Sequence, residues 1–323
     1  NFYSDVDNAN GGSIIFNSSS SVASYGGNIT MRGGTGDTTS GCAAAKTCIL
    51  GYASNSGGDW IGGSTAAGWS DDSDGITIVS TGSIDAGAGS ITIMGKAASF
   101  RGVIIYSGGG TIKAGGDITI TGIATAVATN GWGLDLSSFT VQSTAGNISL
   151  TGNGGNGLYT GSAIFAAGNS TTSPTSGGTI TMNASGSVTG AGQYGIRQVS
   201  TNLVAFGAIS ITASTNGDHA YRIEGTSSVK TPSTITIIAT GTSPGYWGFT
   251  MYGSSFIQST GGNVSMTASG AAGGVFMNTT GGIYATSNTA TPTATPTAGG
   301  TLTINGTGAS QEGLYVYTGS LIS

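Results

Sequence analysis

A six-residue phrase recurs nine times along the chain and restricts its fold more than any other feature. It reads GGNITM at 26–31, GSITIM at 89–94, GGDITI at 115–120, AGNISL at 145–150 and GGTITM at 177–182. It continues as GAISIT at 207–212, STITII at 233–238, GGNVSM at 261–266 and GGTLTI at 299–304. From Ile91 onward successive copies lie about 30 residues apart, a spacing that marks a stack of similar structural units. Each copy alternates apolar and small polar residues, which is the pattern of a strand with one buried face. The inward positions are Ile29, Ile91, Ile118, Ile148, Ile180, Ile209, Ile235, Val264 and Leu302, each followed two residues later by a second apolar residue. Between the two lies Thr30, Thr92, Thr119, Ser149, Thr181, Ser210, Thr236, Ser265 or Thr303, an outward ladder made only of Ser and Thr. Glycine stands two positions before the inward residue in every copy except that of Ser233. Such a glycine suits either a positive φ or a close backbone approach.

Two further strands fill each period. A short one centres on Val22, Ile84, Ile112, Val141, Ile164, Leu203, Val229, Ile257 and Ile283, and usually precedes the glycine strand by six or seven residues. A third, richer in aromatics, includes GVIIY at 102–106, GLYT at 157–160, AYRIE at 220–224, GFTMY at 248–252 and GLYVY at 313–317. Three strands and three corners per period describe an all-β parallel β-helix, expected here to have about ten coils and the right-handed wind of parallel crossovers. Residues 1–323 then form a single solenoid domain. One surface insertion, 33–74, interrupts a coil, and shorter Thr/Pro inserts fall at 168–176 and 286–298.

The composition agrees with stacked rungs. Charged residues make up only 7% of the chain, and like charges in register would repel across a rung spacing of about 5 Å. Asp85 and Lys113 are expected one rung apart at the same outward position. The net charge of −5 and the scattered Lys and Arg provide no basic patch, which argues against nucleic acid and anionic membranes as partners. No apolar run reaches the roughly 20 residues of a membrane helix. Cys42 and Cys48 sit in the Gly/Ser/Ala-rich insertion, where a local disulfide in an oxidising compartment is the expectation; a metal site would need more ligands than His219 adds.

Catalysis on a β-helix calls for carboxylates clustered on neighbouring rungs. Outside the insertion no acidic residue repeats at one strand position on adjacent coils, so no enzymatic activity and no cofactor are expected. Asp71, Asp72 and Asp74 are candidates for calcium through oxygen ligands, without the spacing of a known calcium loop. Arg197, Arg222 and Glu224, with Tyr194 and Tyr221, suggest a cationic aromatic groove suited to sugars, so a carbohydrate-binding or polysaccharide-degrading β-helix is the alternative. Thr179/Thr181, Thr234/Thr236 and Thr301/Thr303 resemble an ice-binding face, which the other coils do not continue.

The phrases GSIDAGAGSITIMG (82–95), GTIKAGGDITITG (110–122) and TGGNVSM (260–266) resemble the repeats of filamentous-haemagglutinin-type and autotransporter exoproteins. The resemblance implies a right-handed β-helix exported to the surface of a Gram-negative bacterium, in an adhesive or fibrous role toward surface glycans or neighbouring cells. Terminal coils of a solenoid expose apolar faces and unpaired edges unless capped. Phe2, Tyr3 and Val6 at one end and Tyr315, Tyr317 and Leu321 at the other are therefore expected to continue the stack, either with copies joining head to tail in a fibre or with more of the same polypeptide.

Overall fold

The computed structural model describes residues 2–4, 14–17, 21–33, 50–53, 76–79, 82–97, 101–106, 109–124, 131–168, 174–189, 191–286 and 299–323. Among these the regular structure is all strand, without helix, and every strand pairing is parallel, so the chain is a parallel β-solenoid. The glycine strands stack into one sheet in chain order, from Phe2–Ser4 through Ile29–Gly33 and Ile91–Ala97 to Leu302–Gly308. Their register runs unshifted from Ile91 to Leu302: Ile118 lies opposite Ile91 and Ile148, and Ile235 opposite Ile209 and Val264. A one-residue slip would turn every apolar side chain outward, which is why the alternation fixes the register so firmly.

The alternation decides burial as well. Ile91, Ile118, Ile148, Ile180, Ile235 and Val264 are fully buried, and fully burying such a side chain is worth roughly 1.5–3 kcal/mol. The Ser and Thr positions align in register, with Thr92 opposite Thr30 and Thr119, Ser149 opposite Thr119 and Thr181, and Ser265 opposite Thr236 and Thr303. Lys113 lies directly opposite Asp85. Two positions before the Ser/Thr ladder a second ladder knits the corner: the Ser90 amide donates to Asn28 Oδ1, that of Asp117 to Ser90 Oγ, that of Asn147 to Asp117 Oδ1, and that of Thr179 to Asn147 Oδ1. At Gly178 and Gly300 the glycine of the repeated phrase is required by close approach rather than by φ. A Cβ on Gly178 would stand 2.1 Å from the carbonyl oxygen of Gly146, and one on Gly300 2.1 Å from that of Gly262.

Two expectations change. The turns number about six rather than ten. The six follow one another from Trp132 to Gly308, while the windings before Trp132 keep the same register but are repeatedly interrupted by stretches outside the described residues. The three strands per coil also resolve into two sheets. Aromatic and short strands share one sheet because in Trp132–Ser143, Asn156–Ala166, Val275–Tyr284 and Leu314–Ile322 a single strand runs through both. The corner between them needs only a bend, made by one residue of positive φ: Ser138 (55°), Ser200 (48°), Gly225 (75°) or Gly253 (75°). Of the 33–74 insertion, Gly33 and Leu50–Ala53 are described, and Leu50–Ala53 pairs with Met94–Ala97 just beyond the point where Ile29 and Thr30 pair with Ile91 and Thr92. The chain thus leaves a rung and returns to complete it.

Candidate functional site

Two surfaces depart from the neutral ladder pattern. The first is the rung formed by Leu314–Ile322, which among the described residues pairs only with Val275–Tyr284. Leu314 lies opposite Val275, Val316 opposite Met277 and Leu321 opposite Ile283, all three partners being fully buried core residues. The same column position leaves Leu314, Val316 and Leu321 about two-fifths exposed, and Leu302 and Ile304 below them are only partly buried. The core column of the solenoid thus continues into this rung. Of these three, sequence reasoning named Leu321 and passed over Leu314 and Val316. Of the two tyrosines it chose, Tyr315 stands in the outward column opposite Phe276, and Tyr317 falls where the register shifts.

The second surface is a strip along the outward side of the aromatic strands. One column runs Asp135, Tyr159, Arg197, Arg222, Thr250, Phe276, Tyr315 on successive rungs. Neighbouring rings join it: Trp132 stacks on Tyr194 (centroids 6.5 Å apart) and meets Tyr159 edge-on at 5.4 Å. Arg197 lies over Tyr194 at 5.4 Å, and Arg222 over Tyr252 at 4.9 Å and Tyr194 at 5.7 Å. Tyr252, Phe276, Trp247 and Tyr315 carry the contacts on to the open rung. Glu224 bridges both cations: Arg197 Nε donates to Oε1 at 2.6 Å and Arg222 Nε to Oε2 at 2.9 Å. Burial is the main reason the hydroxyls of Tyr159, Tyr194 and Tyr252 titrate above their usual range. Beneath the strip the hydroxyl of fully buried Thr250 has no partner among the described residues.

Tyr221 does not belong to this surface, contrary to the sequence expectation. It occupies the inward position opposite Ile196 and Phe249 and is fully buried. Asp218 and His219 are buried beside the strip as a structural pair. Asp218 accepts from the Gly192 amide, its carboxylate faces His219 Nε2 at 3.2 Å, and His219 Nδ1 accepts from the Trp247 amide. Asp135 is buried next to Arg101, and desolvation raises its pKa although the guanidinium opposes this. On the short-strand face a depression of about 320 Å³ is lined by Lys230, Phe256, Gln258, Thr280, Gly281 and Tyr284, but it spans only neighbouring rungs.

Cys42, Cys48, Asp71, Asp72, Asp74 and Val6 lie outside the described residues. The strand Phe2–Ser4 does join the glycine-strand sheet, with Phe2 opposite Met31 and Tyr3 opposite Arg32. Among the described residues no group of His, Cys, Asp and Glu is placed to hold a metal ion, and no helix is long and apolar enough to cross a membrane. Comparison of the chain with protein-family models, with curated proteins and with solved structures finds no match to any of them.

Proposed function

We propose that this protein is an extracellular structural β-solenoid that lengthens by rung-on-rung stacking, a second copy covering the Leu314–Ile322 rung. The observation that carries the reading is the register of that rung: Leu314, Val316 and Leu321 continue the column of the buried Val275, Met277 and Ile283, so the same pairing can accept a further rung. Covering them would complete the burial of side chains each worth roughly 1.5–3 kcal/mol when fully buried, and would pair an edge that is otherwise a template for addition of another strand. The parallel register suits a heterologous contact, which repeats without closing and so generates a filament. An adhesive role, without catalysis, and export to the surface of a Gram-negative cell rest on the resemblance of the repeats to exoprotein adhesins and on the Ser/Thr-rich, charge-poor composition.

Electron microscopy and sedimentation of the full chain at micromolar concentration test this reading. Filaments many solenoids long are expected, and Val316→Asp, which places a charge in the open column, should leave single particles that keep the circular dichroism of the wild type. Wild-type particles that stay monomeric would overturn it, including the case in which further residues of the same polypeptide cover the rung.

A further inference from the structure

Along the outward strip of the aromatic strands the charges cancel. Arg101, Arg197 and Arg222 are set among Asp135, Asp218 and Glu224, three guanidiniums against three carboxylates. Glu224 takes both Arg197 and Arg222, and Asp135 adjoins Arg101 and acts on Tyr159. Asp218 acts on Tyr194 and Tyr252, the two rings under Arg222. Such a strip exerts no net pull on a charged polymer, and the chain's charge of −5 repels polyanions. An uncharged partner is the one that fits.

The strip is also straight and ordered in advance. Asp135, Tyr159, Arg197, Arg222, Thr250 and Phe276 hold one position on consecutive rungs, a run of about 24 Å at the usual strand spacing. Trp132, Tyr159, Tyr252 and Phe276 are half-buried, so each ring keeps surface toward solvent. The Trp132–Tyr194 stack and the guanidiniums packed over Tyr194 hold one another in place, and a preformed surface loses little conformational freedom when a partner docks. Arg197, its side chain 36% exposed, stands between the Tyr159 and Tyr194 rings. A neutral sugar matches this mixture. Its polarised C–H groups are drawn to the negative faces of aromatic rings, while its hydroxyls accept from guanidinium N–H groups and donate to carboxylate or tyrosine oxygens. We propose that the strip binds a neutral, extended, β-linked polysaccharide parallel to the solenoid axis, with Tyr159 taking a sugar face and Arg197 the adjoining hydroxyls. Such a chain stays straight and keeps to the strip, whereas a coiling α-linked chain leaves it.

Protein partners suit the strip less well. Extended peptides dock by pairing with a free strand edge, and the central aromatic strands already pair on both sides, as Ile196–Val199 does with Asn156–Ala166 and Tyr221–Glu224. A second copy of the chain would need about 800 Å² on each side for a stable contact. The strip is three outward positions wide, about 20 Å at most, and so covers only about 500 Å². The inference gives the adhesive reading a ligand class and does not depend on stacking, since the strip stays on the outside whether or not copies stack.

Titration calorimetry of the full chain with cellohexaose, chitohexaose, mannohexaose and xylohexaose tests the proposal. Maltohexaose, neutral but coiling, and hexagalacturonate, extended but charged, serve as controls. Saturable binding of at least one of the four β-linked sugars is expected, and of neither control. Tyr159→Ala should weaken it at least about tenfold, and Arg197→Gln should weaken it as well. Tyr25→Ala, which removes an exposed ring at another corner, should leave it unchanged. The proposal is overturned if the wild type binds none of the four, if maltohexaose or hexagalacturonate binds as tightly, or if Tyr159→Ala keeps the wild-type affinity.

Discussion

The hydroxyl of Tyr221 donates to Oε1 of Gln198 at 2.6 Å inside the solenoid, joining two neighbouring rungs through an otherwise apolar column. Both side chains are fully buried, and Gln198 Nε2 donates in turn to the carbonyls of Thr201 and Ser228. Every polar group of the Gln198 side chain is thereby satisfied, the condition under which a buried polar residue is tolerated. Tyr221→Phe removes one donor and leaves Oε1 unpaired in the core. The expected cost is about 1–3 kcal/mol, read as a lowered urea midpoint with unchanged far-ultraviolet circular dichroism. A neutral result would mean that water replaces the hydroxyl.

Thr250 presents the opposite case. It lies in the outward column between Arg222 and Phe276, yet it is fully buried and its hydroxyl finds no partner among the described residues. Replacing it by valine keeps the branched shape and removes an unpaired polar atom. Thr250→Val should stabilise the protein by about 1 kcal/mol, measured by chemical denaturation. A loss of stability of that size would show that the hydroxyl is bonded after all.

How far these features could be read from the sequence varies with the physics involved. The glycine strands were fully legible, because the alternation Ile118, Thr119, Ile120 leaves one buried face and one register. The same parity rule puts Tyr221 inside, but its aromatic type and its proximity to Arg222 suggested a surface role. Here position within the strand outweighs residue type. The bend at Ser138 carries no sequence signal, since a serine at positive φ looks like any other serine. The strip was only partly legible. Arg197 and Arg222 sit at matching places in adjacent phrases, with Glu224 two residues beyond Arg222, whereas Trp132, at the start of its strand, and Tyr194 reach it through placements that depend on tertiary packing.

His219 should make stability depend on pH. Burial lowers its pKa below the ordinary 6.5, with the Arg222 charge acting in the same direction and the Asp218 carboxylate opposing. Nδ1 accepts from the Trp247 amide at 3.0 Å, so the folded state holds the ring neutral. Below pH 6.5 the unfolded chain protonates this residue more readily than the folded one, and stability must fall as the pH drops through that window. Asp135 acts the other way, because its raised pKa lets the folded state take up the proton first. The two are separated by His219→Gln, which retains an acceptor for the Trp247 amide. Urea midpoints at pH 7.5 and 5 should differ less in the variant than in the wild type; equal differences would count against the neutral ring.

The corner between glycine and aromatic strands offers the sharpest test of the packing. Gly95, Gly122 and Gly152 align on successive rungs, and the column continues as Ala184, Ala213, Ala239 and Ala268. In the earlier rungs the backbone turns so tightly that a Cβ on Gly122 would stand 1.9 Å from the carbonyl oxygen of Gly133. Relief would require that carbonyl and its strand to move, and forced overpacking of this kind costs about 1–3 kcal/mol or more. Ala213, by contrast, is buried without such a clash, so Ala213→Gly loses only a methyl group and some backbone entropy, about 1 kcal/mol. Gly122→Ala should therefore destabilise more than Ala213→Gly by thermal denaturation, although alanine is ordinarily the better residue in a strand. The reverse order would show that the corner opens at Gly122 without displacing Gly133, and that the tight turn is not what selects glycine there.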